Sequence, residues 1–373
     1  MQEQRRLIKI LVLTIIFAAL LFFIVRLLKI ERQVISGPKT VVELITDTGL
    51  KSANGRINIL LLGTGGVGHE GPDLTDTMIV ASIAKDGRDT VLISIPRDLW
   101  APTLDGKINH AYAFGQEKDG QGLKLAKDTL STLFDLPIHY AARVDFDGFT
   151  SAVDLIEGLD INVENPFTDE RYPIAGREDE LCGLTIETQE IDGISQEVAK
   201  DATGSAIPLA SITDENNPFI CRYETITFKA GPTNMDGTTA LQFVRSRYGT
   251  NGEGSDFARS ARQQKVVLAF REKVFSLGTF FDPPVIIDLI KTFDQSIDTD
   301  IDNDEIPHFV KLSQKIDVQK LRRVVLDSER PESVLVIGDP TAHGGQFVLV
   351  PKGGNWTDLA EYVQGEIFKL EEK

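Results

Sequence analysis

The chain has 373 residues, with 39 Lys+Arg against 56 Asp+Glu and a formal net charge of −17. That length makes one large domain or two ordinary ones, and 42% hydrophobic with 25% charged residues excludes a disordered, collagen-like or multi-span membrane chain. Two cysteines exclude a disulfide-dense scaffold and a Cys-rich zinc cluster, and the acidity disfavours nucleic acid, whose phosphates such a surface repels.

The charge is uneven. Residues 1–35 hold six basic residues and two acidic ones, and residues 241–273 hold seven basic against three acidic. Within the first region, Ile10 to Val25 is a run of sixteen residues in which only Thr14 is polar. Extended to Leu7 and Leu28, with Lys9 and Arg26 snorkelling to the interfaces, it reaches the ~20 residues of a span. No small-x-small cleavage site follows Phe22-Phe23-Ile24-Val25-Arg26, so residues 1–30 read as a short N-terminal tip and an uncleaved transmembrane signal anchor. Three Lys/Arg on each side leave the orientation open.

Residues 31–55 read as a polar linker. Strands are predicted at Ile57–Leu62, Thr77–Ala84 and Thr90–Ile95, with a hairpin turn at Asp86-Gly87. Helical spacing runs over 122–134, and further strands over Tyr140–Val144 and Leu159–Val163. Residues 165–225 are rich in Asp, Glu, Gly, Pro and Asn, with weak periodicity, and read as a long surface insertion. Asp236 caps a predicted helix toward Arg245, and Ser255 or Asp256 caps another through Phe275. Residues 285–325 read as helical, and Val334–Ile337 and Phe347–Val350 as strands. The alternation is that of a mixed α/β fold.

Gly63-Thr64-Gly65-Gly66-Val67-Gly68 matches G-x-G-x-x-G after a strand. A dinucleotide site needs a helix to start there, but His69-Glu70-Gly71-Pro72-Asp73 and then another strand follow, so the stretch reads as a glycine loop.

The chemistry lies in arginines. A two-residue turn at Asp86-Gly87 pairs residues so that Asp76 faces Arg97, at the end of an apolar strand that Pro96 stops. On the helix after Ser255, Arg259, Arg262, Gln263, Val266 and Phe270 share one face whose lower part is apolar and core-directed. Cations at a helix N-terminus oppose its dipole, a placement that makes sense where an anion is held by the free N–H groups and guanidinium forks. With Arg245 and Arg247, four arginines fall within eighteen residues, which points to a phosphate- or diphosphate-bearing ligand. Asp76 is the nearby acid to hold Mg²⁺ or take a proton. Cys182 and Cys221 suit either a disulfide in an oxidising exterior or two buried thiols.

The ordered stretches NILLLG (58–63), DTMIVASI (76–83), SIPRD (94–98), KINHAY (107–112), VD (153–154), GxxALxFVRSR (237–247) and DFxRSxRQQ (256–264) resemble the LytR-CpsA-Psr family over about residues 55–275. The resemblance implies an α-β-α fold, a mixed central sheet flanked by helices, with a pocket for a polyprenyl tail. It implies a domain over 56–280 outside the cytoplasm, anchored in the cell membrane by a single pass, with a C-terminal extension over 281–373. It implies transfer of an anionic glycopolymer from undecaprenyl diphosphate to a peptidoglycan hydroxyl, with Mg²⁺; hydrolysis of polyprenyl diphosphate, or lipid-diphosphate binding without turnover, are the alternatives. Arg97, Arg245, Arg247, Arg259, Arg262 and Gln263 would hold the diphosphate, and Asp76 would be metal ligand or catalytic acid/base, with Arg97 beside it. Two positions depart from the family pattern: Thr64 stands in place of an acid and Leu74 in place of an arginine, with Asp73 the candidate to stand in for the acid.

Overall fold

The computed structural model describes residues 49–69, 71–191, 193–213, 216–276 and 296–369. The expected anchor and most of the linker, residues 1–48, lie outside them, and among the described residues no helix is long and apolar enough to cross a membrane. Contacts divide the chain into two units, one of Met1–Val163, Gly231–Arg245 and Ser255–Lys373, the other of Glu164–Ala230 and Ser246–Gly254.

The first unit contains, in chain order, β1 (Arg56–Thr64), β2 (Thr75–Ala84), β3 (Thr90–Ser94), α1 (His110–Asp119), α2 (Gly122–Phe134), β4 (Tyr140–Asp145), α3 (Phe146–Leu155), α4 (Gly237–Arg245), α5 (Asp256–Ser276), β5 (Ile297–Thr299), α6 (Ile306–Lys315), β6 (Arg322–Val325) and α7 (Trp356–Phe368). The six strands form one sheet in the order β5-β4-β1-β2-β3-β6. β1 runs parallel to β4, and β3 parallel to β6; the other neighbours are antiparallel.

Strand alternation sends side chains to two faces. Leu60, Leu62, Met78, Val80, Val91 and Ile93 pack on one face against α1, α2 and α7, through Tyr112, Leu130, Phe134 and Val363 among others. On the opposite face Ile79, Ala81 and Leu92 meet Ile59, Leu61, Val267, Leu268 and Leu321, the last five only partly buried. The mixed sheet therefore lies between helical layers, and its α5 side is the less completely filled. Of the expected extension over 281–373, the described residues 296–369 are integral to this unit: they supply β5 and β6, while α7 adds Leu359, Val363 and Ile367 to the larger core. Part of the stretch read as helical, at Arg322–Val325, is a strand, because two β-branched residues, Val324 and Val325, bury against β3.

The β2–β3 hairpin keeps the expected register, from Ile79↔Ser94 to Ile83↔Thr90. Its turn is wider than two residues: Ala84 N–H donates to the Asp89 carbonyl at 2.8 Å and Gly87 N–H to that of Ala84 at 2.7 Å. Gly87 has φ 74° and lies so close to Lys315 that a Cβ would come within 2.5 Å of it, so a side chain is excluded twice over. The glycine loop leads from β1 into β2 with no helix among the described residues between them, as its local context requires.

At the turn end of this hairpin, Arg56 is 6% exposed and its guanidinium has four acceptors, the hydroxyl and carbonyl of Ser82 and the carboxylate and carbonyl of Asp89. Its Nε donates to Ser82 Oγ at 2.7 Å, Nη2 to the Ser82 carbonyl at 2.9 Å and Nη1 to Asp89 Oδ2 at 2.6 Å. Arg322 donates from Nη2 to both oxygens of the same carboxylate at 2.9 and 3.0 Å, from Nε to one of them at 3.3 Å, and to the Glu366 and Ile367 carbonyls, fastening β6 and α7 to the hairpin. Burial raises the Asp89 pKa, but Arg322 and Arg56 outweigh it and hold the carboxyl below its ordinary range. Breaking a fully buried pair costs about 3–5 kcal/mol. Asp89 is 39% exposed, so Asp89→Asn is expected to lower stability by about 2 kcal/mol, read as a urea midpoint shift at unchanged m.

The second unit contains the predicted insertion. A ribbon pairs Phe167–Pro173 with Tyr223–Phe228, and three strands, Thr185–Ile191, Ile194–Lys200 and Ala206–Pro208, form a small sheet. The weak periodicity has a structural cause, since Thr185–Ile191 is exposed or half-buried throughout and has no core face to alternate with. Cys182 and Cys221 are joined in a disulfide. Asp169, 1% exposed, is satisfied by Ser246 Oγ at 2.7 Å and by the N–H groups of Arg247 and Tyr248 at 3.2 Å.

Candidate active site

Asp76 is the second residue of β2, and Arg97 follows β3 after Ile95 and Pro96. The hairpin register places them together: Arg97 Nη1 donates to Asp76 Oδ1 at 2.7 Å. Arg97 Nε lies 3.6 Å from Asp98 Oδ2, and Asp98 is itself held by Lys107 at 2.6 Å. Burial lowers the Arg97 pKa, but Asp76, with Asp98 and Asp256, outweighs it and raises it above the ordinary value. The guanidinium is thus fully charged and fixed in orientation.

α5 is capped as its sequence predicts, with Ser255 Oγ accepting from Ala258 N–H at 3.1 Å. Its first turn presents Arg259, whose Nη2 pairs with Asp256 Oδ1 at 2.6 Å. The anion expected at this helix terminus is supplied by the protein: Glu329 accepts from the N–H groups of Asp256 and Phe257 at 3.2 and 3.5 Å. Glu329 follows β6, 73 residues along the chain from Asp256, so no local pattern identified it.

These groups line one narrow cleft, with Asp76, Arg97, Arg259, Gln263, Asp256, Asp327 and Glu329 as its charged or amide side chains. Four residues of the expected set meet there: Asp76, Arg97, Arg259 and Gln263. Arg245, at the end of α4, stacks over the Phe146 ring at 4.1 Å. Arg247 belongs to the second unit. Arg262 does not share the aspect of Arg259: it is 4% exposed and donates from Nε to the Phe243 carbonyl at 2.7 Å, tying α5 to α4. A helix wedged between a sheet and a second helix buries more than one stripe, which is why reading a single inward face misplaced it.

A second, open cleft lies on the α5 side of the sheet. Its walls are Ile59, Leu61, Leu92, Val267, Leu268, Phe309 and other apolar groups, and Arg271 at its edge donates to the Ser313 and Ile316 carbonyls at 2.8 Å. β2 and α5 wall both clefts: β2 gives Asp76 to the charged one and Ala81 and Ile83 to the apolar one. Along α5 the lining passes from Asp256, Arg259 and Gln263 in the charged cleft to Val267, Leu268 and Phe270 in the apolar one.

At the departures from the family pattern, Thr64 is fully buried and its Oγ1 has no partner among the described residues. Asp73 is 3.5 Å from Arg143, which also approaches Asp145 at 3.4 Å. Among the described residues no group of three or more His, Cys, Asp or Glu side chains converges as a metal cage.

The fold and clefts define a mixed-sheet α/β protein with an arginine–carboxylate cleft and an apolar cleft along the same helix and strand. The chain belongs to the LytR-CpsA-Psr family: the LytR_cpsA_psr family model matches residues 27–335. It is 26% identical over 256 residues to the polyisoprenyl-teichoic acid–peptidoglycan teichoic acid transferase TagU of Oceanobacillus iheyensis, covering 67% of this chain and 60% of that protein. It is 25% identical over 228 residues to the TagU of Enterococcus faecalis, covering 60% of this chain and 55% of that protein. The match thus spans less than two thirds of either relative. The solved structure of protein gbs0355 from Streptococcus agalactiae shares the fold at a TM-score of 0.53 and 18% identity, covering 85% of this chain and 90% of that one.

Proposed function

We propose that this protein transfers an anionic glycopolymer from a polyprenyl diphosphate carrier to a peptidoglycan sugar hydroxyl. The observation that carries this reading is the succession of clefts along α5 and β2. A ligand with a diphosphate head and a hydrocarbon tail needs a charged pocket leading to an apolar one. From Gln263 to Phe270 the helix advances about 10 Å. The relatives named as teichoic acid transferases support the same substrate class.

In this reading Arg97 and Arg259 grip the two phosphates, each through a planar fork. Each already faces a carboxylate, which fixes its direction before substrate enters. The acceptor hydroxyl attacks the phosphorus bonded to the polymer sugar. The new O–P bond forms as the bridging P–O bond breaks, and the carrier leaves as polyprenyl monophosphate. The hydroxyl proton passes to Asp76 or to water. Charge develops on the bridging oxygen, and fixed guanidinium groups stabilise it without reorganising.

The residues accommodate Mg²⁺ in the manner usual for phosphoryl transfer, through one or two carboxylates plus substrate phosphate oxygens. Asp76, at the cleft and 37% exposed, would hold it. The ion would supply charge neutralisation, which a cleft with four carboxylates against two arginines calls for. We also place the domain outside the cytoplasm, anchored in the cell membrane through residues 7–28. The apolar run supports this, as does the Cys182–Cys221 disulfide, since such bonds persist in oxidising compartments.

The test is product analysis: the full chain is incubated with lipid-linked glycopolymer, Mg²⁺ and peptidoglycan oligomers. Polymer attached to peptidoglycan sugar is the expected result. Free polymer phosphate alone would make the protein a hydrolase, and bound but unchanged lipid would make it a binding module.

A further inference from the structure

Gln264 follows the cleft-lining Gln263 but points into the sheet, where it is 1% exposed. Its Nε2 donates to Ser94 Oγ at 2.9 Å and to the Val324 carbonyl at 3.1 Å, with the Leu92 carbonyl at 3.5 Å. Oε1 has no partner among the described residues, so the amide is oriented by what its nitrogen donates to. Ser94 is the last residue of β3, whose continuation Ile95-Pro96-Arg97 lines the charged cleft. Val324 is in β6, whose continuation Leu326-Asp327-Ser328-Glu329 lines it too. Arg259 and Gln263 line it from α5 itself. One buried amide therefore joins the three elements that supply most of the cleft.

We propose that Gln264 is a positioning residue that sets the spacing between Arg97 and Arg259, and with it the preference for a diphosphate over a monophosphate. The inference rests on the diphosphate reading of the cleft and adds a residue to it. A diphosphate must meet both arginines at once, so its affinity depends on how far apart they are held. A monophosphate is held by one arginine and is little affected by the spacing.

The probes are farnesyl diphosphate and farnesyl monophosphate, titrated into the purified full chain by calorimetry. Gln264→Met keeps volume but cannot donate to the two strands. It is expected to weaken diphosphate binding about tenfold while changing monophosphate binding less than about twofold, so the ratio collapses. Val363→Ala, in the core on the other face of the sheet, lowers Tm with the ratio intact and separates positioning from general destabilisation. If Gln264→Met does not fold, Ser94→Ala removes one acceptor of the same clamp and is expected to lower the ratio by a smaller factor. A ratio unchanged in the folded variant, or lowered equally by Val363→Ala, would overturn the inference. If Arg97→Ala and Arg259→Ala leave farnesyl diphosphate binding intact, the diphosphate reading itself fails. If they abolish it while Gln264→Met does not, only the positioning role is lost.

Discussion

Arg97→Ala is expected to lower kcat/KM for glycopolymer transfer about 10²- to 10³-fold, the usual cost of removing one fixed donor to developing charge. The fold should survive the change, because the Arg97–Asp76 pair is about one-third exposed at both ends and such pairs add at most ~1 kcal/mol. Activity and stability are therefore predicted to separate, with Tm within a few degrees of wild type. Arg97→Lys should recover only part of the loss, since an ammonium keeps the charge without the fork. Asp76→Asn distinguishes the roles within the pair. It removes the carboxylate that orients Arg97 and would hold Mg²⁺, so the deficit should shrink as Mg²⁺ is raised if metal binding is the larger part. Arg262→Ala, in contrast, should act on stability, because its Nε serves the Phe243 carbonyl.

Stability is expected to fall by about 3 kcal/mol as pH drops from 7 to 4, through His139. This side chain is 6% exposed, and its Nδ1 accepts from Asn58 N–H at 2.9 Å, a bond open only to the neutral ring. Nε2 has no partner among the described residues. Burial, reinforced by Lys127 and Lys51, brings the pKa down to about 4 from 6.5. The sign follows from proton counting. Below pH 6.5 the unfolded chain takes up a proton that the folded chain refuses until about pH 4, so stability falls across that window and levels off beneath it. Urea midpoints from pH 7 to 4 measure the slope. His139→Gln should remove this component; a slope identical to wild type would mean that His139 does not carry it. Carboxylates held low by arginines, such as Asp89, lose their contribution only at more acidic pH, as pH falls through their depressed pKa.

The sequence was most informative where a short-range rule sets the geometry. The β2–β3 register follows from alternation and a turn at Gly87, and it placed Asp76 against Arg97 although the turn is wider than two residues. Caps at Ser255 and Asp236 were readable because each serves an N–H three residues on. Three things required the fold. Glu329 reaches the α5 terminus only because β6 pairs with β3. Arg262 and Gln264 lie on sides of α5 whose partners, α4 and the sheet, are remote in sequence. The contribution of residues 296–369 to the sheet and core also required the fold, although α7 carried a signal: Leu359, Ala360, Val363 and Ile367 recur at helical spacing after an Asn355 cap.

In the proposed function one ligand occupies both clefts, head between Arg97 and Arg259 and tail along the apolar wall. Photocrosslinking tests it most directly. A short polyprenyl diphosphate with a diazirine at the tail is activated on the full chain, and the labelled peptides are mapped by mass spectrometry. Labels are expected on Leu92, Leu268 or Phe309 and their neighbours, lost on competition with unlabelled farnesyl diphosphate and in Arg97→Ala. Labels confined to other surfaces, or labelling of these residues that Arg97→Ala leaves unchanged, would contradict it.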